Sequence, residues 1–214
     1  MASDSNRHVT ARQAIILAWR KVTGQEPTLP ELQITQAQGL LEGGYGEAKY
    51  TNLQTGETKK LWNWGAIQAG PVPCTPGKSF EATDSSPHKV TPENPKGYYQ
   101  HCYKEYPDQA AGAEHLVHQM TIRRPTSWEH MKRGDIDAWA HQMHSYNPVG
   151  SKTLNPDPVT GTLGYFEQNP VTRAKHVADH IVTIAAANNE AVMAKRGGPV
   201  KQDAVDSGSG QSIT

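Results

Sequence analysis

The chain has 214 residues, enough for one sizeable core, and its 21 Lys and Arg balance its 21 Asp and Glu for a formal net charge of zero. That balance excludes the basic excess or stripe of a typical nucleic-acid binder. No apolar run approaches the ~20 residues that span a bilayer, and the polar start MASDSNRHVTARQ lacks the basic-then-apolar pattern of a secretory signal, so the expectation is a chain with no signal peptide and no membrane span.

Residues 1–9 read as a flexible N-terminus. Thr10 with Gln13 three residues on resembles a capping box, and Ile15, Trp19 and Val22 then recur at helical spacing until Gly24. A second box, Thr28 with Glu31, opens another helix that tolerates Pro30 in its first turn. Leu29, Leu32, Ala37, Leu40 and Leu41 form its apolar stripe. It delivers Glu42 at its last turn and stops at Gly43-Gly44, since glycine takes the left-handed conformation at a helix end readily.

From about 45 to 106 the helical period is lost among prolines, glycines and polar residues. This is a loop-rich lobe with at most a few short strands, of the kind compact domains keep for function. Its most apolar patch is LWNWGAIQAG, residues 61–70. Cys74 and Cys102 could close one bridge in this lobe or both stay reduced, and the missing secretory signal tips the reading towards free thiols.

Helices resume at Asp108, an N-cap, with Ala113, Leu116, Val117 and Met120 on one face. A short helix follows through Trp128 and Met131, and Asp135 caps another whose face is Ile136, Trp139, Ala140 and Met143. Residues 147–163 are an inserted Pro-, Gly- and Asn-rich surface loop. The last helix begins near Pro170 and buries Val171, Ala174, Val177, Ala178, Ile181 and Ala185. Residues 196–214 read as a disordered tail. The fold class is therefore mainly α, one domain over residues 10–195 with the lobe set against the helices.

Glu42 is the first candidate for chemistry. A carboxyl at a helix C-terminus meets the negative end of the helix dipole, and beside Leu40, Leu41 and Tyr45 it is partly desolvated; both effects favour the protonated form that a general acid needs. Glycoside cleavage would ask for a second carboxylate, about 5 Å away in a retaining enzyme and farther in an inverting one. Asp84 is the first choice and Glu81 the second, both following Phe80, with Glu57 and Glu93 behind them. Tyr45, Trp64, Tyr106 and Tyr165 offer aromatic faces for sugar rings, while Asn63 and Gln68 offer amides for acetamido and hydroxyl groups. The competing reading makes Trp64 and Tyr106 core residues that tie the lobe to the helices.

Ten histidines include the pairs His115/His118, His141/His144 and His176/His180, which share helix faces. None carries the adjacent glutamate of the zinc-protease motif and no third ligand is evident, so they read as solvated faces and no metal or other cofactor is expected. A metal-dependent peptidase using His176 and His180 is the distant alternative.

With these residues laid out, the chain resembles the glucosaminidase-type peptidoglycan hydrolases of the lysozyme superfamily. The order carries the likeness: AQGLLEGGYG at 37–46, NWGAIQ at 63–68, CYKEYPDQAAGAEHLV at 102–117, then GDIDAWAHQMHS and GYFEQNPVTRAKHV. The resemblance implies a lysozyme-like helical domain with a small lobe over a substrate groove, Glu42 as the general acid, and Trp64, Tyr106 and Tyr165 along the groove. It implies peptidoglycan as partner and cleavage of β-1,4 bonds between N-acetylglucosamine and N-acetylmuramic acid, with muramidase or lytic transglycosylase action as the alternatives within the superfamily. A wall-directed enzyme without a signal peptide implies delivery by a virion, an injection apparatus or lysis. The non-enzymatic rival is a lysozyme-like module that binds glycan or builds a particle. Gly43 departs from the serine usual in the family at that place.

Overall fold

The computed structural model describes residues 4–70, 73–83, 92, 100–145 and 169–197. Among the described residues, six helices form the body: α1 (Asp4–Thr23), α2 (Leu29–Gly43), α3 (Gln109–Met120), α4 (Pro125–Lys132), α5 (Ile136–Ser145) and α6 (Pro170–Asn188). Between α2 and α3 the described part of the lobe carries five short strands: β1 (Lys49–Thr51), β2 (Thr58–Lys60), β3 (Gln68–Gly70), β4 (Ser79–Thr83) and β5 (Gln100–Lys104). β1 and β2 make an antiparallel hairpin, and the second sheet has the order β3-β5-β4, also antiparallel. The fold is thus mainly α with a small stranded lobe.

The helix starts follow local chemistry. The Glu31 carboxylate accepts from the Thr28 backbone N–H at 2.7 Å, which closes the expected box at the head of α2, and Asp108 accepts from Ala111 N–H at the head of α3. The first helix differs from expectation. It begins at Asp4, and the Thr10 hydroxyl donates back to the Asn6 carbonyl inside the helix, so residues 4–9 extend α1. Their order has a tertiary cause: His8 is buried and its Nδ1 lies 2.8 Å from the Tyr45 hydroxyl.

The core of the body is continuous. Ile15 and Trp19 of α1, Ile34 and Ala37 of α2, Leu116 and Met120 of α3, Trp139 of α5 and Val177 and Ile181 of α6 are all buried in it. α2 lies at its centre, packed by α1, α3, α4 and α6. It therefore buries glutamines as well as its apolar stripe, and each finds a backbone or side-chain partner. Gln33 Nε2 donates to Ala191 O while its Oε1 accepts from Met193 and Ala194 N–H; Gln36 Nε2 donates to His8 O. Those bonds strap residues 191–194 onto α2. Arg196, expected to open the disordered tail, instead donates to Asp137 at 2.6 Å, and residues 198–214 of that tail lie outside the described residues.

The lobe holds a second, much smaller cluster of Leu61, Phe80 and Ala82, with Tyr50 and Tyr103 packed on it. The cysteines are bridged, not free: Cys74 and Cys102 sit with Cα atoms 5.3 Å apart, within the range a disulfide spans. The β3-β5 pairing makes the bridge by setting Cys102 opposite Gly70, four residues before Cys74. Among the described residues no helix is long and apolar enough to cross a membrane.

Candidate active site at the end of α2

The turn after α2 runs through three consecutive residues in the left-handed region. Gly44, Tyr45 and Gly46 all have positive φ, at 54°, 62° and 80°. Arg7 of α1 clamps it, donating to the Gly44 carbonyl at 2.6 Å and pairing with Glu47 at 3.2 Å. A Cβ added at Gly43 would overlap the Asn63 carbonyl oxygen. A serine therefore has no room at this position unless residues 63–64 move back.

Glu42 projects from this anchored helix end at the seam of body and lobe, with its side chain 15% exposed. Arg173 of α6, whose side chain is 9% exposed, pairs with Glu42 Oε1 at 2.9 Å, and Gln38 Nε2 donates to the same oxygen at 3.0 Å. The helix end favours a neutral carboxyl, and a guanidinium in contact favours the ionised one.

On the lobe side, Tyr50 of β1 is close enough to feel the Glu42 charge. Burial first, then Tyr103, then Glu42 push its phenol well above the usual tyrosine range, so Tyr50 is a neutral hydroxyl at any working pH. The Tyr50 and Tyr103 rings lie 4.8 Å apart, and His101 meets Tyr103 edge-on at 6.3 Å. Tyr103 and His101 share one face of the second sheet, the face on which Tyr50 packs. Gln68 lies opposite Tyr103 on exposed β3 and shares that face.

Glu81 does not. Residues paired across an antiparallel ladder share a face, and Glu81 pairs with Cys102 while its neighbour Phe80 pairs with Tyr103. Glu81 thus stands on the Cys102 side of the sheet, opposite the face that carries Phe80 and Tyr103. Asp84, Glu93 and Tyr165 lie outside the described residues.

Three residues expected to touch substrate are instead interior. Trp64 is fully buried against glycines: added Cβ atoms at Gly39 and Gly46 would each come within 2.7 Å of its ring, and one at Gly112 within 2.8 Å. Tyr45 is fully buried, edge-on to His8 and 5.4 Å from the Trp64 ring. Asn63 is buried with its amide consumed by backbone: Nδ2 donates to Ile67 O and Lys104 O, and Oδ1 accepts from Ile67 N–H. Their side chains position the site from behind. Tyr106 is half-buried on the α3 side, with its ring 5.3 Å from that of His115.

The histidines are not the solvated faces expected throughout. His144 is buried, and His115 is half-buried with Nε2 3.0 Å from Gln119 Nε2. Arg124 donates to Gln119 Oε1, which orients that amide so that Gln119 donates to His115, a bond only a neutral imidazole can accept. Burial is the main reason the His115 pKa falls to about 4, helped by Lys104, His118 and Arg123.

Sequence reasoning missed Arg173 and Tyr50. The signal for Arg173 was present: a charged residue directly before Ala174 and four before Val177 sits on the buried stripe of α6. Tyr50 carried no local signal.

No protein-family model matches the chain, and no curated protein matches it. Among solved structures, the catalytic domain of the autolysin Auto from Listeria monocytogenes aligns over 88% of this chain and 86% of that one, at 18% identity and a TM-score of 0.43.

Proposed function

We propose that the protein cleaves the β-1,4 glycan backbone of peptidoglycan as an endo-β-N-acetylglucosaminidase, with Glu42 protonating the glycosidic oxygen. The observation that carries this reading is Glu42 itself: a largely buried carboxyl, fixed at the last turn of the central helix, beside a lobe whose Tyr50 is close enough to feel its charge. The order of motifs around that helix end supports the same reading. The second step would use Asp84 to activate water, or the acetamido group of the substrate as internal nucleophile. Gln68, exposed on β3, is the expected residue that remains at the surface to meet the polymer.

Muramidase and lytic transglycosylase action place the same acid at the same helix end and differ in product. Mass analysis of digested peptidoglycan separates the three: a reducing-end N-acetylglucosamine supports the proposal, while a reducing-end muramic acid or an anhydro product replaces it with one of the others. The disulfide fits a protein that works in an oxidising compartment, after release by a virion, an injection apparatus or lysis.

A second reading rests on the ion pair. If Glu42 and Arg173 serve only to join α2 and α6, the domain is a glycan-binding or particle-building module. Peptidoglycan gels decide: clearing by wild type and none by Glu42→Gln supports the enzyme, and two proteins that bind the polymer without clearing it favour the module.

A further inference from the structure

We propose that the outer face of the β1-β2 hairpin, with Lys49, Lys60 and Trp62, is an accessory binding surface for peptidoglycan, taking a sugar ring on the indole and a stem-peptide carboxylate between the two ammonium groups. The choice of polymer rests on the function proposed above, while the surface itself does not depend on Glu42.

β1 and β2 pair with Lys49 opposite Lys60 and Thr51 opposite Thr58, so these four side chains share one face. The Thr51 and Thr58 hydroxyls lie 2.9 Å apart, as that pairing requires. Tyr50 points the other way and packs on the small core of the lobe. The four paired positions of the outer face therefore present two ammonium groups, two hydroxyls and no acid. Like charges set directly opposite each other in an antiparallel pair destabilise it. Lys59 is matched by Glu105 and Glu47 by Arg7, but among the described residues neither Lys49 nor Lys60 has an ion-pair partner. A bound carboxylate would relieve their opposition.

Trp62 follows Lys60 by two residues, and Lys60 Nζ lies 3.7 Å from the centroid of its ring, which brings the indole beside the lysine pair. Trp19, Trp64 and Trp139 are fully buried, and Trp128 donates its Nε1–H to Glu31. Trp62 is only half-buried, and its Nε1–H has no partner among the described residues. Backbone holds it there: its φ of 53° is in the left-handed region that bulky residues rarely take, and its carbonyl lies against Gly112 of α3, where an added Cβ would come within 1.9 Å. A large ring kept at the surface with its N–H open suits a saccharide, which offers C–H groups to the aromatic face and hydroxyls to the N–H. Peptidoglycan sets such rings beside the free carboxylates of its stem peptides, which complement the two lysines.

The test is pelleting in the cold with insoluble peptidoglycan, stripped of phosphate-bearing wall polymers, using wild type, Trp62→Gly, and Lys49→Gln combined with Lys60→Gln. Glycine removes the ring and accepts the left-handed backbone, so the fold is kept. Binding is expected to be about threefold to tenfold weaker in Trp62→Gly. In the lysine variant it is expected to be about threefold or more weaker at low salt, a difference that high salt erases. A control, Lys21→Gln combined with Lys175→Gln, removes the same charge from exposed positions on α1 and α6 and should bind as wild type does. Wild-type binding by either Trp62→Gly or the lysine variant overturns the inference, and so does an equal loss in the control. Peptidoglycan freed of its stem peptides is the last arm: wild type and the lysine variant should bind it alike, and a persisting difference overturns the assignment of the carboxylate. Wild type that neither binds nor clears peptidoglycan sinks the function proposed above and this inference with it.

Discussion

The body and the lobe are held together by different physics. Helices α1 to α6 close a continuous core in which Trp19, Ile34, Leu116, Trp139 and Ile181 all lie fully or almost fully inside. Among the described residues the lobe has a cluster of its own in Leu61, Phe80 and Ala82. Apolar burial contributes about 1.5–3 kcal/mol per large side chain, so these three, one of them alanine, offset little of the ordering of a lobe of about sixty residues. The lobe is fixed by other means: the Cys74–Cys102 bridge, the Asn63 amide across three backbone groups, and Trp64, which the lobe inserts among Gly39, Gly46 and Gly112. The difference teaches where the chain can vary without cost to the fold, because the lobe answers to a few ties and the body to a whole core.

Removing Trp64 is the most severe way to break the distinction. Its ring is shared by both regions, so Trp64→Ala should cost about 3–5 kcal/mol in chemical denaturation and lower the stability of the body together with the lobe. A loss below ~1 kcal/mol would mean the lobe is not anchored through this residue.

Opening the disulfide should sharpen the contrast. The bridge spans 28 residues of sequence separation, and a loop of that size contributes about 3–4 kcal/mol by restricting the unfolded chain. Cys74→Ser with Cys102→Ser should speed hydrogen exchange in β4 and β5 while α2 amides keep their protection. Equal acceleration in both would show that the two regions unfold as one unit.

The smallest effect is at the α3 edge of the lobe. His115 has a folded pKa of about 4, below its ordinary value of 6.5, so the unfolded chain takes up the proton first as the pH falls. Its neutral form contributes stability that is fully present above pH 6.5 and is lost as the pH drops towards 4. Because the ring is partly solvated, the contribution is about 1 kcal/mol. His115→Gln should flatten the stability profile over that window. A profile that keeps its full slope would assign the titration to another group.

Much of the body was legible in the residues. The Thr28–Glu31 box, the Asp108 cap, the Gly43-Gly44 stop and the apolar stripes of α3, α5 and α6 each act within one or two turns, and a periodic pattern reports them directly. The lobe was legible only as a break in that pattern. Cysteine spacing does not report strand pairing, so Cys74 and Cys102 could not be joined before β3 and β5 were in register. The side on which Glu81 stands depends on the same register, since a shift of one residue would reverse it. Aromatic and amide side chains in a motif read equally well as groove or as core, and burial alone decided Tyr45, Asn63 and Trp64. The interior glycines Gly39 and Gly112 were the available hint, as helices rarely keep glycine unless something packs close.

The sequence by itself determined that a helix ends at Glu42 and breaks into glycine, because capping, propensity and periodicity are settled by neighbours a few residues away. Only the tertiary structure decided what that carboxyl meets. Arg173 reaches it from α6 and Tyr50 lies near it from β1, while Arg7 of α1 clamps the turn behind it, and such contacts exist only once the elements dock, where the desolvation of each charge depends on every surface that closes around it.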